Sequence, residues 1–216
     1  MKSLVLFDLD HTLISGDSEE AWVRYLNSIG WLDEDFFSQK LKFDEDYRNG
    51  KLNISSYSNF LLKPLKGKSV KEVQDLVKFF ANDLIEKYKD SLTNKLLEEH
   101  KKDKCLIVSG SLTLLVKEIS KLLDIENFFG TEAEIKKDLY TGRVKGVPNF
   151  SEEKVRRVKE WLIIKDLKFR DIYAYSDSIY DLPLLKYSNR ARAVNPDNQL
   201  REISAKKGWE VIERAT

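Results

Sequence analysis

The chain has 216 residues, 42% hydrophobic and 34% charged, enough for one fair-sized domain or a core domain carrying a smaller insert. Lys and Arg total 37 against 36 Asp and Glu, and the resulting net charge of +1 leaves no electrostatic footprint for nucleic acid or an acidic membrane surface. No apolar run approaches the ~20 residues that cross a bilayer, and the one after Lys2 stops at Asp8, too short for a signal peptide. With a lone cysteine, Cys105, which reads as a small buried hydrophobe, the expectation is a soluble, cytoplasmic protein.

In chain order, the first element is "LVLF", residues 4–7, an apolar run suited to a strand buried on both faces and ending at Asp8. From about Gly16 to Tyr88 no strand pattern occurs. Trp22, Tyr25, Leu26 and Ile29 share one helical face, and Val70, Val73, Val77, Phe80, Leu84 and Tyr88 make a longer stripe opened by the capping pair Ser69 and Glu72. Strands are expected again at "CLIV" before Ser109, "IYAY" before Ser176 and "ARAV" before Asn195. Between them lie helical faces of Leu115, Ile119, Leu122 and Leu123, and of Val155, Val158, Trp161 and Leu162, with a short hairpin excursion around residues 133–146. Strands alternating with helices predict an α/β fold, a Rossmann-like parallel sheet with helices on both faces. The helical block is expected as an inserted all-helical cap domain, residues 16–88, over a core of residues 1–15 and 89–216.

Ligands of parallel sheets bind beyond the carboxyl ends of the strands, where Asp8 lies. Residues i and i+2 of an extended chain face the same side, so Asp8 and Asp10 share one space. Two such carboxylates stay ionised beside a cation, and oxygen-only ligation favours Mg²⁺. An isolated Asp-x-Asp is ordinarily a solvated turn; here three other segments carry complementary chemistry. "VSGS" offers the Ser109 hydroxyl and the Gly110 N–H at the mouth of a helix, and "YSDSIYD" offers Asp177 and Asp181 after another strand. "SEEKVRRV" places Lys154 in the first turn of a helix with Ser151 as N-cap, where a cation opposes the macrodipole. His11 is expected to face away from the acids, and His100, among the lysines of "EEHKKDK", to lie on the surface.

In order and context, "FDLDHTL", "SGS", Lys154 and "YSDSIYDLPLL" resemble the four motifs of the haloacid dehalogenase superfamily. The branch it most resembles is the phosphoserine-phosphatase-like group, which carries a helical cap between the first and second motifs. The resemblance implies a Mg²⁺-dependent phosphatase of a small phosphorylated metabolite, with Asp8 as nucleophile and Asp10 as general acid and base. It further implies Thr12 orienting the acids, a phosphate-binding set of Thr12, Ser109, Gly110 and Lys154, and Lys154 offsetting charge. Mg²⁺ is implied on Asp8, the Asp10 carbonyl and Asp177, with Asp181 supporting. At about the position of Asp17, relatives carry an acid that reads the substrate ammonium; Asp17 equally suits a helix cap before "SEEAW". The cap arginine that reads a carboxylate in phosphoserine phosphatases has no clear counterpart, since the surroundings of Arg48 differ. Phosphotransfer to another acceptor would use the same residues; a receiver-like signalling module and a non-catalytic binding protein rank lower. A monomer is the default expectation.

Overall fold

The computed structural model describes residues 2–214. β1 (Leu4–Phe7) leads through one wide turn at Leu9–Leu13 into five helices: α1 (Ser18–Ser28), α2 (Glu34–Arg48), α3 (Ile54–Leu62), α4 (Val70–Tyr88) and α5 (Ser91–Glu99). Then come β2 (Lys104–Leu112), α6 (Thr113–Leu122), β3 (Asn127–Thr131) and the pair β4 (Ala133–Lys136) and β5 (Leu139–Val144). The chain ends with α7 (Glu152–Ile164), β6 (Ile172–Ser176), α8 (Leu182–Tyr187), β7 (Arg190–Val194), α9 (Asn198–Lys207) and β8 (Glu210–Ile212). Six strands form one parallel sheet in the order β3-β2-β1-β6-β7-β8, and the helical insertion α1–α5 follows β1, as expected of a capped α/β fold.

β1 is apolar at every position because both faces of the sheet are covered. Val5 and Phe7 join the core that includes α4, α5 and α6, while Leu4 and Leu6 join the core under α7, α8 and α9. The insertion has an aromatic interior: Trp22 and Phe80 meet edge to face at 5.0 Å, and Phe36 stacks on Phe60 at 4.2 Å. Ser69 caps α4 by accepting from the Glu72 N–H at 3.1 Å. The hairpin β4–β5 leans on the insertion rather than on the sheet, with the Gly67 N–H bonded to the Tyr140 carbonyl at 2.8 Å.

Several local expectations need correction. β3 ("NFFGT") and β8 ("EVI") lack an alternating pattern and form by pairing with β2 and β7. Leu122 lies exposed while Leu115, Ile119 and Leu123 are buried, because α6 turns Leu122 off the sheet. His100 is buried at 3% exposure rather than on the surface. At the end of α5 its ring pairs with the Tyr175 hydroxyl at 2.7 Å and with Asp103 at 2.9 Å, which satisfies both nitrogens away from water. β2 does not stop at Ser109 but runs to Leu112, and α6 begins only at Thr113, so the Gly110 N–H is not at a helix mouth. Among the described residues no helix is long and apolar enough to cross a membrane.

Candidate active site

β1 delivers Asp8 at its carboxyl end, where the Asp8 N–H bonds the Tyr175 carbonyl on β6 at 3.0 Å. The chain then makes one wide turn closed by the Ile14 N–H on the Leu9 carbonyl at 3.0 Å. Asp10 stays extended within it, while His11 adopts φ 54°, and the reversal places the imidazole in solvent. Leu9 and Leu13 anchor the turn in the core.

Three strand ends, of β1, β2 and β6, and one helix converge there. Lys154, in the first turn of α7 and 4% exposed, donates to Asp8 Oδ1 at 2.8 Å and lies 2.7 Å from Asp181 Oδ1. The Ser176 hydroxyl donates to Asp181 Oδ2 at 2.8 Å, fixing that acid beneath the lysine. Thr12 is fully buried and donates to Asp177 Oδ1 at 3.0 Å without lining the cavity, so it is placed to orient an acid and not, as also expected, to bind phosphate. Asp10 accepts from the Ser18 N–H at 2.7 Å and from the Ser111 hydroxyl. Ser151 occupies the N-cap position of α7, but its side chain makes no capping bond.

Ser109 and Gly110 sit in an irregular stretch of β2, where the register against β3 shifts between Val108 and Leu112. Such a bulge re-aims side chains at a strand end, and here both residues line the cavity over Asp8. The bulge is tied back from below: Asn149 donates to the Ser109 carbonyl at 2.8 Å, and Thr131 donates to the Gly110 carbonyl at 2.6 Å. Ser111, Asn149, Thr131 and Ser176 thus hold the site although sequence reasoning assigned them nothing. Only Ser111 and Ser176 carried a signal, by adjoining the motif residues.

The electrostatics are dominated by buried acid. Burial pushes the Asp8 carboxyl up to about 6, against the opposing pull of Lys154. Burial, followed by the charge of Asp17, pushes Asp10 up to about 7. Burial and then the charge of Asp8 hold Asp177 well above the usual carboxylate range. Lys154 is shifted upward: burial works against its charge, but Asp181 and Asp8 outweigh it. One ammonium therefore faces four carboxylates.

That surplus suits a hard cation. Among the described residues no three His, Cys, Asp or Glu side chains form a ready metal cage. The oxygen donors that lie together there are the Asp8 and Asp177 carboxylates. They match an ion that retains water and takes its remaining ligands from a phosphate.

The cavity above these residues measures about 650 Å³ and extends into the insertion, where Phe43, Tyr47 and Tyr57 line it. Along its wall Tyr47 of α2 reaches the core: its hydroxyl lies 3.3 Å from Ser178 Oγ and its carbonyl accepts from the Tyr180 hydroxyl at 3.0 Å. Asp17 lines the same cavity while capping α1, its Oδ1 accepting from the Glu20 N–H at 2.8 Å. Arg48, exposed at the end of α2, also lines it.

A family profile described as haloacid dehalogenase-like hydrolase matches residues 5–186. The chain is 35% identical, over 98% of its length and 99% of the other's, to a histidinol-phosphatase of Neisseria meningitidis serogroup C (strain 8013). A solved protein of unknown function from Bordetella pertussis Tohama I superposes with a TM-score of 0.89 at 32% identity, covering 98% of each chain. A phospho-aspartyl intermediate analogue of phosphoserine phosphatase shares the fold, with a TM-score of 0.66 at 20% identity over 99% of this chain and 94% of that one.

Proposed function

The chain belongs to the haloacid dehalogenase-like hydrolases, in their phosphoserine-phosphatase-like branch, and is a phosphoric monoester hydrolase; from that premise we propose that it works through an aspartyl-phosphate on Asp8. The observation that carries this reading is the Lys154 ammonium, held between Asp8 and Asp181 with Asp10 on the next inward-facing position of the same turn.

An Asp8 oxygen attacks phosphorus and displaces the ester oxygen, which takes a proton from the Asp10 carboxyl. An acid near 7 suits that step, because it is protonated in part of the population and is a competent base afterwards. Asp10 then removes a proton from water as the water oxygen attacks phosphorus, releasing inorganic phosphate and restoring Asp8. Ser109 and the Gly110 N–H orient phosphoryl oxygens, and Lys154 offsets the charge that accumulates between Asp8 and the phosphate. Mg²⁺, held by Asp8, the Asp10 carbonyl and Asp177 with Asp181 in support, would neutralise phosphoryl charge and align the ester with Asp8. Thr12 orients Asp177 for that role.

The substrate is a small phosphorylated metabolite of the kind named for its relatives, histidinol phosphate or phosphoserine. Residues 16–88 serve as the cap that encloses it, and residues 1–15 with 89–216 as the catalytic core. The test is phosphate release from an aryl phosphate by wild type beside Asp8→Asn and Asp10→Asn. Asp8→Asn is expected to fold and release nothing. Asp10→Asn is expected to lose roughly 10²- to 10⁴-fold on an alkyl ester and less on an aryl ester, whose leaving group needs no proton. Retained turnover in Asp8→Asn rejects the nucleophile.

A further inference from the structure

The turn that carries Asp10 and Thr12 is held from behind by residues that do not line the catalytic cavity. A single turn that is not continued as a helix leaves its last carbonyls without N–H donors of their own. Two side chains distant in sequence supply them. Thr93, in the first turn of α5, donates its hydroxyl to the Leu13 carbonyl at 2.7 Å. Arg214, just beyond β8, donates from Nη2 to the Thr12 carbonyl at 2.5 Å across a separation of 202 residues. The other Nη of Arg214 donates to Asp90, which caps α5 by accepting from the Thr93 N–H at 2.9 Å. Arg214, Asp90 and Thr93 thus form one network that grips consecutive carbonyls of the turn.

Arg214 is firmly seated. Its side chain is 9% exposed, and its own N–H donates to Asn195 Oδ1 at 2.7 Å, where β7 and β8 end. Burial works to raise the Asp90 carboxyl, but hydrogen bonds from Arg214 and Thr93 hold it below its usual value, so it stays an anion for the guanidinium. Nε has no hydrogen-bond partner among the described residues. A buried guanidinium with one carboxylate and an orphaned donor is a poor source of stability. What it does supply is a planar fork that spans an anion and a carbonyl, which no apolar or lysine side chain reproduces. The residue whose carbonyl it holds is the one whose hydroxyl donates to Asp177 Oδ1 at 3.0 Å.

We propose that Arg214 is a positioning residue for metal binding: by fixing the Thr12 carbonyl against Asp90, it fixes the peptide from which the Thr12 hydroxyl orients Asp177 towards Mg²⁺. That role rests on the reading of Asp177 as a holder of the ion. Mg²⁺ tolerates little departure from octahedral geometry, so a loosened Asp177 is felt first as lost metal affinity.

The experiment measures Mg²⁺ binding by calorimetry on substrate-free wild type, Arg214→Met, Arg214→Lys, Thr12→Val, the double variant Arg214→Met with Thr12→Val, and Asp177→Asn. Arg214→Met is expected to raise the Mg²⁺ Kd roughly 10-fold, the lower end of the range for residues that orient a metal ligand. Arg214→Lys keeps a charge beside Asp90 but cannot span to Thr12. It is expected to fold and still bind Mg²⁺ several-fold more weakly, and it carries the test if Arg214→Met is unfolded at the assay temperature. Because Arg214 acts through Thr12, the double variant is expected to bind no more weakly than Thr12→Val by itself. A Kd within roughly twofold of wild type in the folded arginine variants, or fully additive losses in the double variant, overturns the assignment of Arg214. Wild type that binds no Mg²⁺, or Asp177→Asn that binds it as tightly as wild type, rejects the reading of Asp177 instead, so the two failures are distinguishable.

Discussion

Lys154 donates to Asp8 Oδ1 at 2.8 Å across a sequence separation of 146 residues, and its ammonium also holds Asp181. Both acids and the lysine are buried, so the contact is structural as well as chemical. Lys154→Met leaves two buried carboxylates without a counter-charge. It is expected to cost about 3–5 kcal/mol in urea unfolding and to reduce phosphatase activity below roughly one per cent. The double variant Lys154→Met with Asp181→Asn should recover part of the stability and none of the activity.

The raised carboxyls carry a pH signature in the absence of divalent ions. Asp8 moves from 3.8 to about 6 and Asp10 from 3.8 to about 7 on folding. Between roughly pH 4 and 7 the native state therefore binds more protons than the unfolded chain, and stability falls as pH rises. This contribution is fully present below the unfolded values and is lost once pH passes the folded ones. Melting curves in chelator should show Tm declining from pH 5 to pH 7 more steeply than in Asp10→Asn, and added Mg²⁺ should raise Tm most at the alkaline end. A Tm that rises over this window contradicts the assignment.

The bridge between Tyr47 and Tyr180 in the cavity wall should be felt in substrate capture. Tyr180→Phe keeps the ring that lies 4.9 Å from Tyr47 but removes the hydroxyl that holds the Tyr47 carbonyl. One such bond is worth about 0.5–1.5 kcal/mol. A several-fold rise in KM for a metabolite-sized ester is expected, with little change in Tm, because the bond joins two residues of the cavity wall that belong to neither core. Steady-state kinetics on wild type and Tyr180→Phe checks it.

His100→Phe separates stability from catalysis. The substitution removes both hydrogen-bond partners that His100 offers, leaving the buried Tyr175 hydroxyl to Arg192 and Asp103 to the Ser3 N–H. A loss of about 1–3 kcal/mol is expected in chemical denaturation, with kcat within roughly twofold of wild type, since no atom of this network lines the catalytic cavity.

Gly130 shows how tightly the phosphate-facing bulge is supported. A Cβ there would stand 2.7 Å from the Ser111 carbonyl oxygen and 2.9 Å from the Thr113 backbone nitrogen. Neither backbone atom can yield without moving Ser111, whose hydroxyl holds Asp10. Gly130→Ala should therefore lower kcat through Asp10 as well as Tm; activity unaffected by the substitution would show that the bulge tolerates displacement.

Much of this molecule was determined by local sequence. The apolar runs before Asp8, Ser109 and Ser176 mark strands because a sheet covered on both faces favours continuous hydrophobicity, and "ARAV" before Asn195 marks a fourth although Arg192 interrupts it. The shared facing of Asp8 and Asp10 follows from two residues of extended backbone, and the helical insertion from its 3.6-residue periodicity. These patterns lie within the residues that express them. What they left open is whatever depends on a partner distant in sequence. β3 and β8 exist because β2 and β7 supply hydrogen bonds that their own residues do not demand. The bulge in β2 is held by Asn149 and Thr131, His100 pairs with Tyr175, and Glu19 accepts from the Leu112 N–H, each across the fold. A side chain's neighbours across the sheet are chosen by how the layers close, and only the closed structure decides which polar residues become chemistry and which remain surface.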